Sequence, residues 1–409
     1  MGFVQTIKDK AERLYAGPRF TIAAFMLIGV MVLIAYSNTF TASFHFDDTP
    51  AIVDNLAIKH VTLDNILHLI SINRPVVNLT LMLNYQLGGL NVVGYHIFNI
   101  AVHIANSCFV YLLILWTLNL PVLAKRYADK AAWMALFGAL LFGVHPVQTE
   151  SVTYIITRTE LVATFFYLGT FLLFIQGVRT KRYSYFIGAA CSSFLAMGSK
   201  EWAVTLPAML FLYDVLFLSE GKLNPALSRW MAYMLITLPG WGLIAHTLNL
   251  TASGGSGASV GFNISNSSGI PLNAWTYLLT SFNVIWTYVR LLFLPINQNL
   301  DYDYPVAQTL FAFPTLLSFI GHLVVVGAAF WLYLKKGWTL IPFGVAWFYI
   351  TLSPVQSFVP VLDVIFEHRV YLPSIGFFIF FVTAYEGLFA RLNAGTSLKK
   401  DVAEKKPVR

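Results

Sequence analysis

Residues 20–36 read FTIAAFMLIGVMVLIAY, an unbroken apolar run that follows Lys8, Lys10, Arg13 and Arg19. The run is longer than a typical signal-peptide core, and no small-residue cleavage site follows closely. It therefore reads as a retained first membrane span with its basic flank inside. The rest of the chain agrees. Of 409 residues, 57% are hydrophobic, 16% aromatic and only 11% charged, against roughly 25% charged in a soluble domain. A water-soluble fold has no way to cover so much apolar side chain, so lipid is part of the solvent. The net charge of +7 lacks a basic stripe interleaved with aromatics, which argues against nucleic acid and leaves the charge to topology. Cys108 and Cys191 both lie in apolar runs and imply neither a disulfide framework nor a metal cluster.

A spanning helix takes ~20 mostly apolar residues. Spans are expected near 20–38, 95–118, 131–146, 161–178, 183–199, 202–218, 230–250, 309–334, 338–355 and 372–390. This predicts an all-α integral membrane protein of about ten transmembrane helices with both ends cytoplasmic. The 26 lysines and arginines test the layout. All fall in predicted inner segments except Lys59, Arg74, Arg158, Lys200, Arg290 and Arg369, as the positive-inside rule requires. Residues 1–19 are then a cytoplasmic segment, 20–390 one multi-spanning domain and 391–409 a disordered cytoplasmic tail. Segment 271–295 resists this order, because a full crossing there carries Lys335 and Lys336 outside. It reads as a re-entrant or interfacial helix on the outer face. The long first outer loop, 37–94, holds an amphipathic stretch at 61–72 and a second helical stretch at 75–87. A second outer loop, 251–270, is rich in Gly, Ser and Asn and reads as mobile.

Ionisable groups at a membrane are expensive, so the outer ones are functional candidates. Asp47 and Asp48 follow the first span in Phe-His-Phe-Asp-Asp. Adjacent carboxylates near a low-dielectric surface push one pKa up, which suits a general base; a helix N-cap before Thr49-Pro50 is the bland alternative. Arg74-Pro75 closes the loop. His96, Asn99, His103 and Asn106 form one polar stripe on a helix, read as interhelical hydrogen-bond partners or cavity lining, since they lack the spacing of a zinc helix. His145, Glu150, Tyr154, Arg158 and Glu160 lie at the next outer turn, where Glu150, Tyr154 and Arg158 share a face; a structural salt bridge competes with a catalytic role. Lys200-Glu201 and Glu367-His368-Arg369 repeat the theme. Asp301 and Asp303 have the spacing of a divalent-ion site, a weak signal: no metal site is assigned and no cofactor is certain, with a divalent metal left open. Mixed charges from distant segments at one membrane face imply a pocket at the bilayer surface, where carboxylates activate a hydroxyl and cations hold an anionic leaving group.

The ordered set resembles the lipid-linked-sugar-dependent membrane glycosyltransferases of the GT-C fold, nearest the membrane domain of transmembrane O-mannosyltransferases that carry tetratricopeptide repeats. The likeness rests on Phe-Asp-Asp at 46–48, Arg74-Pro75 with Asn78, Gly88-Gly89, and the His96, Asn99, His103 stripe. It continues in His-Pro-Val-Gln-Thr-Glu-Ser-Val at 145–152 leading to Arg158-Thr159-Glu160-Leu161, in Lys200-Glu201, in Leu300-Asp301-Tyr302, and in Glu367 with Tyr371-Leu372-Pro373-Ser374. The resemblance implies inverting transfer of a mannose-like hexose from a polyprenyl-phosphate donor to an acceptor hydroxyl, on a protein Ser/Thr or a glycan, at the outer face. It makes one aspartate of the pair the base, Asp48 favoured by position and Asp47 still open. Arg74, Arg158, Lys200 and Arg369 are the candidates to stabilise the leaving lipid phosphate. Two departures stand out. No tetratricopeptide array follows the tenth span, and His368-Arg369 stands where many relatives have Arg followed by Tyr. Together with the absence of a cleaved signal, this points to a bacterial inner membrane with the site facing the periplasm, or to the lumenal face of the endoplasmic reticulum in a eukaryote. A transporter or lipid-linked-sugar flippase without transferase activity is the alternative, and it calls for polar groups at mid-membrane depth on broken helices.

Overall fold

The computed structural model describes residues 17–252, 264–265, 271–337, 339–361 and 363–404. The expected mobile loop 251–270 and the segment 1–19 lie almost wholly outside the described residues. The first span is helix α1 (Pro18–Ala35), with Pro18 in its first turn, where a missing N–H costs nothing. Two short helices fill the first loop, α2 (Leu63–Ser71) and α3 (Pro75–Gly88). Thr62 caps α2 by accepting from the Asn65 N–H. The chain continues with α4 (Val92–Leu118), α5 (Pro121–Tyr127), α6 (Ala131–Val144), α7 (Thr149–Thr153) and α8 (Arg158–Thr180). It ends through α9 (Tyr183–Met197), α10 (Leu206–Tyr213), α11 (Leu223–Leu227), α12 (Trp230–Ala252), α13 (Ala274–Phe293), α14 (Phe313–Lys336), α15 (Leu340–Leu352) and α16 (Pro373–Glu404). A two-residue antiparallel pair, Ile264–Ser265 with Pro271–Leu272, precedes α13.

Five helical stretches are long and apolar enough to cross a membrane, and a sixth if α5 and α6, bent by 95°, count as one span. The protein is therefore a multi-pass membrane protein. Three of the other expected spans coincide with shorter helices: α6, α9 and α15 have 14, 15 and 13 residues. At 1.5 Å per residue these reach only about 20 Å, short of the ~30 Å hydrocarbon layer. The helix of α16 continues through 391–404, where an unstructured tail is expected.

The bundle has an inside and a lipid face. Helix α8 is the most buried of the long helices, while α1 and α14 expose most of their apolar side chains. Against α8, Trp347 of α15 meets Tyr167 and Phe171 at ring centroids 5.9 and 5.2 Å away. Helices α15 and α16 cross where Gly344 faces Gly376, and a Cβ on either would collide with the opposite backbone. That close crossing fixes where segment 353–372 emerges at one end of the bundle.

Helix α13 lies on that same end. Its Tyr277 and Tyr288 hydroxyls donate to the carbonyls of Val355 and Phe366, at 2.7 and 2.9 Å. Near its C-terminus the Leu292 carbonyl bonds His145 Nε2 at 3.1 Å. The helix is thus tied near both its ends, to the segments around 355–366 and to the turn after α6, and along its middle to α14 through Asn283 and Trp286.

Candidate active site

Five stretches meet at the end of the bundle that carries α13: 45–48, 74, 150–160, 200–202 and 363–369. The aspartate pair is held differently at its two members. Asp48 is fully buried; its Oδ1 accepts the Ile156 N–H at 2.8 Å and its Oδ2 the His45 N–H at 3.1 Å. Asp47 is exposed, and its backbone N–H donates to the Tyr154 hydroxyl at 2.9 Å. No described residue hydrogen-bonds or ion-pairs with the Asp47 carboxylate. The preceding Phe46 takes a left-handed φ of 44°, a strained turn that the two ties to 154–156 hold in place.

Burial pushes the Asp48 carboxyl up to about 6, against the opposing pull of its two N–H donors. Between its ordinary value and 6, the folded protein holds a proton that the unfolded chain does not. Stability owed to this group therefore rises as pH falls from above 6 toward 4, by on the order of 2–3 kcal/mol. Unfolding of wild type and Asp48→Asn in detergent, compared from pH 7 to 4, should show the wild type gaining on the variant. A difference independent of pH contradicts the assignment.

The other ionisable groups form a chain of pairs. His368 donates its backbone N–H to Glu150 Oε2 at 2.9 Å and sets its ring Nδ1 on Oε1 of the same carboxylate. Its Nε2 stands 3.9 Å from Glu160. Glu160 in turn holds Lys200 Nζ at 2.6 Å and the Trp202 indole N–H at 2.7 Å. Beside them Arg74 and Glu201 meet with both nitrogens on both oxygens, at 3.2 and 3.4 Å. Arg74 adopts φ 60° directly before Pro75, a costly conformation that the bidentate pair stabilises. Arg369 differs from these cations. It is 8% exposed, its Nη1 has no hydrogen-bond partner, and no carboxylate among the described residues lies within ion-pair distance. Its guanidinium lies over the Phe366 ring at 5.3 Å.

No family model and no solved structure matches the chain. Curated proteins do. Human protein O-mannosyl-transferase TMTC4 is 30% identical over 228 residues, which is 49% of this chain and 30% of that protein. The Xenopus laevis protein O-mannosyl-transferase tmtc2 is 28% identical over 223 residues, covering 50% and 25%. Human TMTC3 is 29% identical over 218 residues, covering 49% and 22%. About half of the chain is similar in sequence to these O-mannosyl-transferases. The matched region spans less than a third of the length of each of these relatives.

Several residues expected at the site are tied up in structure. Arg158 is fully buried away from any carboxylate. It donates to Asn99 Oδ1 at 3.0 Å and to the carbonyls of Thr80 and Tyr95 at 3.3 Å, and stacks over Phe98 at 4.2 Å. His96 bonds the Ala42 carbonyl at 3.0 Å. His103 bridges the Tyr371 hydroxyl and the Gly143 carbonyl at 2.6 and 2.9 Å. His145 caps the turn at 146–148 as well as binding Leu292. These are hydrogen-bond partners between elements, the packing role that the polar stripe allows.

Glu367 organises another part of the face. Its carboxylate accepts from the Asn299 N–H at 2.8 Å and from the Tyr302 hydroxyl and Gln298 amide, both at 2.5 Å. Glu367→Gln loses acceptor capacity that three donors use, so amide hydrogen exchange across 298–302 should accelerate at least ~10-fold. Unchanged exchange there would show that the segment is held by something else. Asp301 is exposed beside it. Among the described residues, no three His, Cys, Asp or Glu side chains are grouped to hold a metal ion. Two small cavities, one lined by Ile114, Met134 and Phe343 and one by Arg126, Tyr127 and Thr339, include none of the site's carboxylates.

Nothing in composition or periodicity separates Asp47 from Asp48. The deciding partner is the Ile156 N–H, a backbone donor far away in sequence. The setting of Arg369 is hidden in the same way, because it depends on Arg74 and Lys200 each having found an acid.

Proposed function

We propose that this chain is a GT-C-type, polyprenyl-phosphate-sugar-dependent glycosyltransferase with about ten crossings. It moves a mannose-like hexose to an acceptor hydroxyl on a protein or glycan at the outer face of the membrane. The observation that carries the reading is the exposed, unpartnered Asp47 carboxylate at a face where Glu150, Glu160, Glu201 and Glu367 all have partners. A general base needs an accessible lone pair, and Asp47 has one. Asp48, with both oxygens receiving backbone N–H groups, is better suited to anchoring the loop than to taking a proton.

In the proposed reaction, Asp47 removes the acceptor's O–H proton as that oxygen forms a bond to the sugar C1. The C1–O bond to the lipid phosphate breaks, and its electron pair leaves with the phosphate. Attack opposite the leaving group inverts the anomeric centre. Arg369 holds the phosphate: a buried cation with an unsatisfied N–H and only the more distant Asp363 acting on it favours an anion. Arg74 and Lys200 each sit on a glutamate and shape the field more than they contact the leaving group.

The homology to O-mannosyl-transferases supports the transfer chemistry and the choice of a mannose-like sugar. The groups of this face lie at helix ends and in the turns between helices, which favours a surface active site over a mid-membrane transport path. The test is transfer of labelled mannose from a polyprenyl-phosphate donor to an acceptor hydroxyl by the purified protein in lipid nanodiscs. Transfer with inversion supports the reading. Donor movement across the bilayer without transfer would replace it with the flippase.

A further inference from the structure

The geometry points to Tyr154 as the positioning residue of the Asp47 base, an inference that rests on the reaction proposed above. Tyr154 ends α7 and starts the turn at 155–157, so both of its neighbours are fixed. Its backbone N–H bonds the Glu150 carbonyl at 3.2 Å, and two residues on, the Ile156 N–H pins Asp48. The phenol oxygen accepts the Asp47 N–H at 2.9 Å. A hydroxyl that accepts still has its own hydrogen to donate, and no described residue takes it.

That hydrogen has one class of neighbour. Asp47, Asp48 and Glu150 all act on the phenol electrostatically, and with burial they raise its pKa, so it stays protonated. Tyr154 is thus a donor and not a base. Both Asp48 oxygens already hold N–H donors and Glu150 is held by His368. The Asp47 carboxylate is the acceptor left open, and it branches only a few bonds from the nitrogen that Tyr154 already holds. Tyr154 therefore fixes the backbone of the base, and its unused hydroxyl hydrogen acts on the charged carboxylate electrostatically. The effect is to keep Asp47 ionised and aimed while an acceptor approaches.

Tyr154→Phe removes the bond to the Asp47 N–H and the hydroxyl dipole at nearly constant shape. The acid limb of the kcat/KM profile should move to higher pH by about one unit. The kcat should fall roughly 10- to 100-fold, with little change in KM for a polyprenyl-phosphate-mannose donor. A purely structural role would lower the yield of folded protein and leave the acid limb in place; that result overturns the inference. Should Tyr154→Phe fail to fold, 3,5-difluorotyrosine at position 154 keeps the shape and strengthens the donor, and the limb should move to lower pH; a limb that does not move overturns the inference there too. Asp47→Asn measured in parallel separates the two claims. If Asp47→Asn is inactive and the limb is fixed, the Tyr154 inference fails alone; if Asp47→Asn is fully active, the base assignment itself has failed.

Discussion

Asp47→Asn is expected to lower sugar transfer by 10²- to 10⁴-fold, the range for loss of a general base, while leaving thermal unfolding close to wild type. The two halves of that expectation come from the same geometry. The carboxylate is exposed and has no hydrogen-bond or ion-pair partner among the described residues, so removing its charge frees no buried group there. Asp48→Asn should behave in the opposite sense. Its oxygens receive the N–H groups of Ile156 and His45 inside the protein, and an amide offers only one acceptor in place of two. The other side is left with two donors facing each other, at about 1–3 kcal/mol. The variant should therefore unfold earlier and retain measurable transfer per folded molecule at low temperature. If Asp48→Asn proves dead but fully stable, and Asp47→Asn active, the roles are reversed.

The second large effect is expected at Arg369. Arg369→Gln removes a buried cation of this face that has no carboxylate within ion-pair distance among the described residues. KM for the lipid-phosphate donor should rise at least ~10-fold, with kcat falling as well, because the charge that Arg369 meets is greatest as the phosphate leaves. Ordinarily the loss of a buried arginine is destabilising. Here the reverse is expected in the absence of donor, since an uncompensated buried charge is itself a cost. The apo protein should be as stable as wild type or more so, and donor should stabilise the wild type far more than the variant. Arg74→Gln provides the contrast. It leaves Glu201 without its bidentate partner and releases the constraint on a left-handed residue, so it should cost stability first. Equal donor dependence in Arg369→Gln and wild type would remove Arg369 from the phosphate.

Much of this was readable from the chain, and the remainder has a physical reason for being hidden. Composition and the apolar run at 20–36 are enough to place the protein in a membrane, because no soluble core covers so many apolar residues. The His96, Asn99, His103, Asn106 stripe could be read as a buried polar seam because helical periodicity is local. The Tyr371 hydroxyl that bonds both His103 and Asn106 lies far along the chain, so its part in the seam is not local at all. Arg158 shows where charge counting misleads. At a helix start beside Glu160 it reads as a ligand for phosphate, yet its fork is filled by an asparagine and carbonyl oxygens. Only the fold decides whether an arginine points at a pocket or into the wall behind it. Lys200 was legible as part of the face but not as the partner of Glu160, for the same reason.

Span counting meets a different limit. A window of apolar residues marks a span by composition, but α15 is only 13 residues long, and α13, at 20 residues, bonds to segments at one end of the bundle near both its termini. Length and hydropathy alone misorder such pairs. The Lys335-Lys336 pair after α14 carries a different kind of information, because charge placement reports on sides of the membrane.

Native mass spectrometry of the lipid bound to purified Asp47→Asn bears most directly on the central claim, that this charged face takes a polyprenyl-phosphate sugar. With the base removed and the phosphate site intact, a polyprenyl-phosphate hexose should be carried through purification, and it should be missing from the Asp47→Asn/Arg369→Gln double variant. Bulk phospholipid alone, in equal amounts on both proteins, would contradict the account.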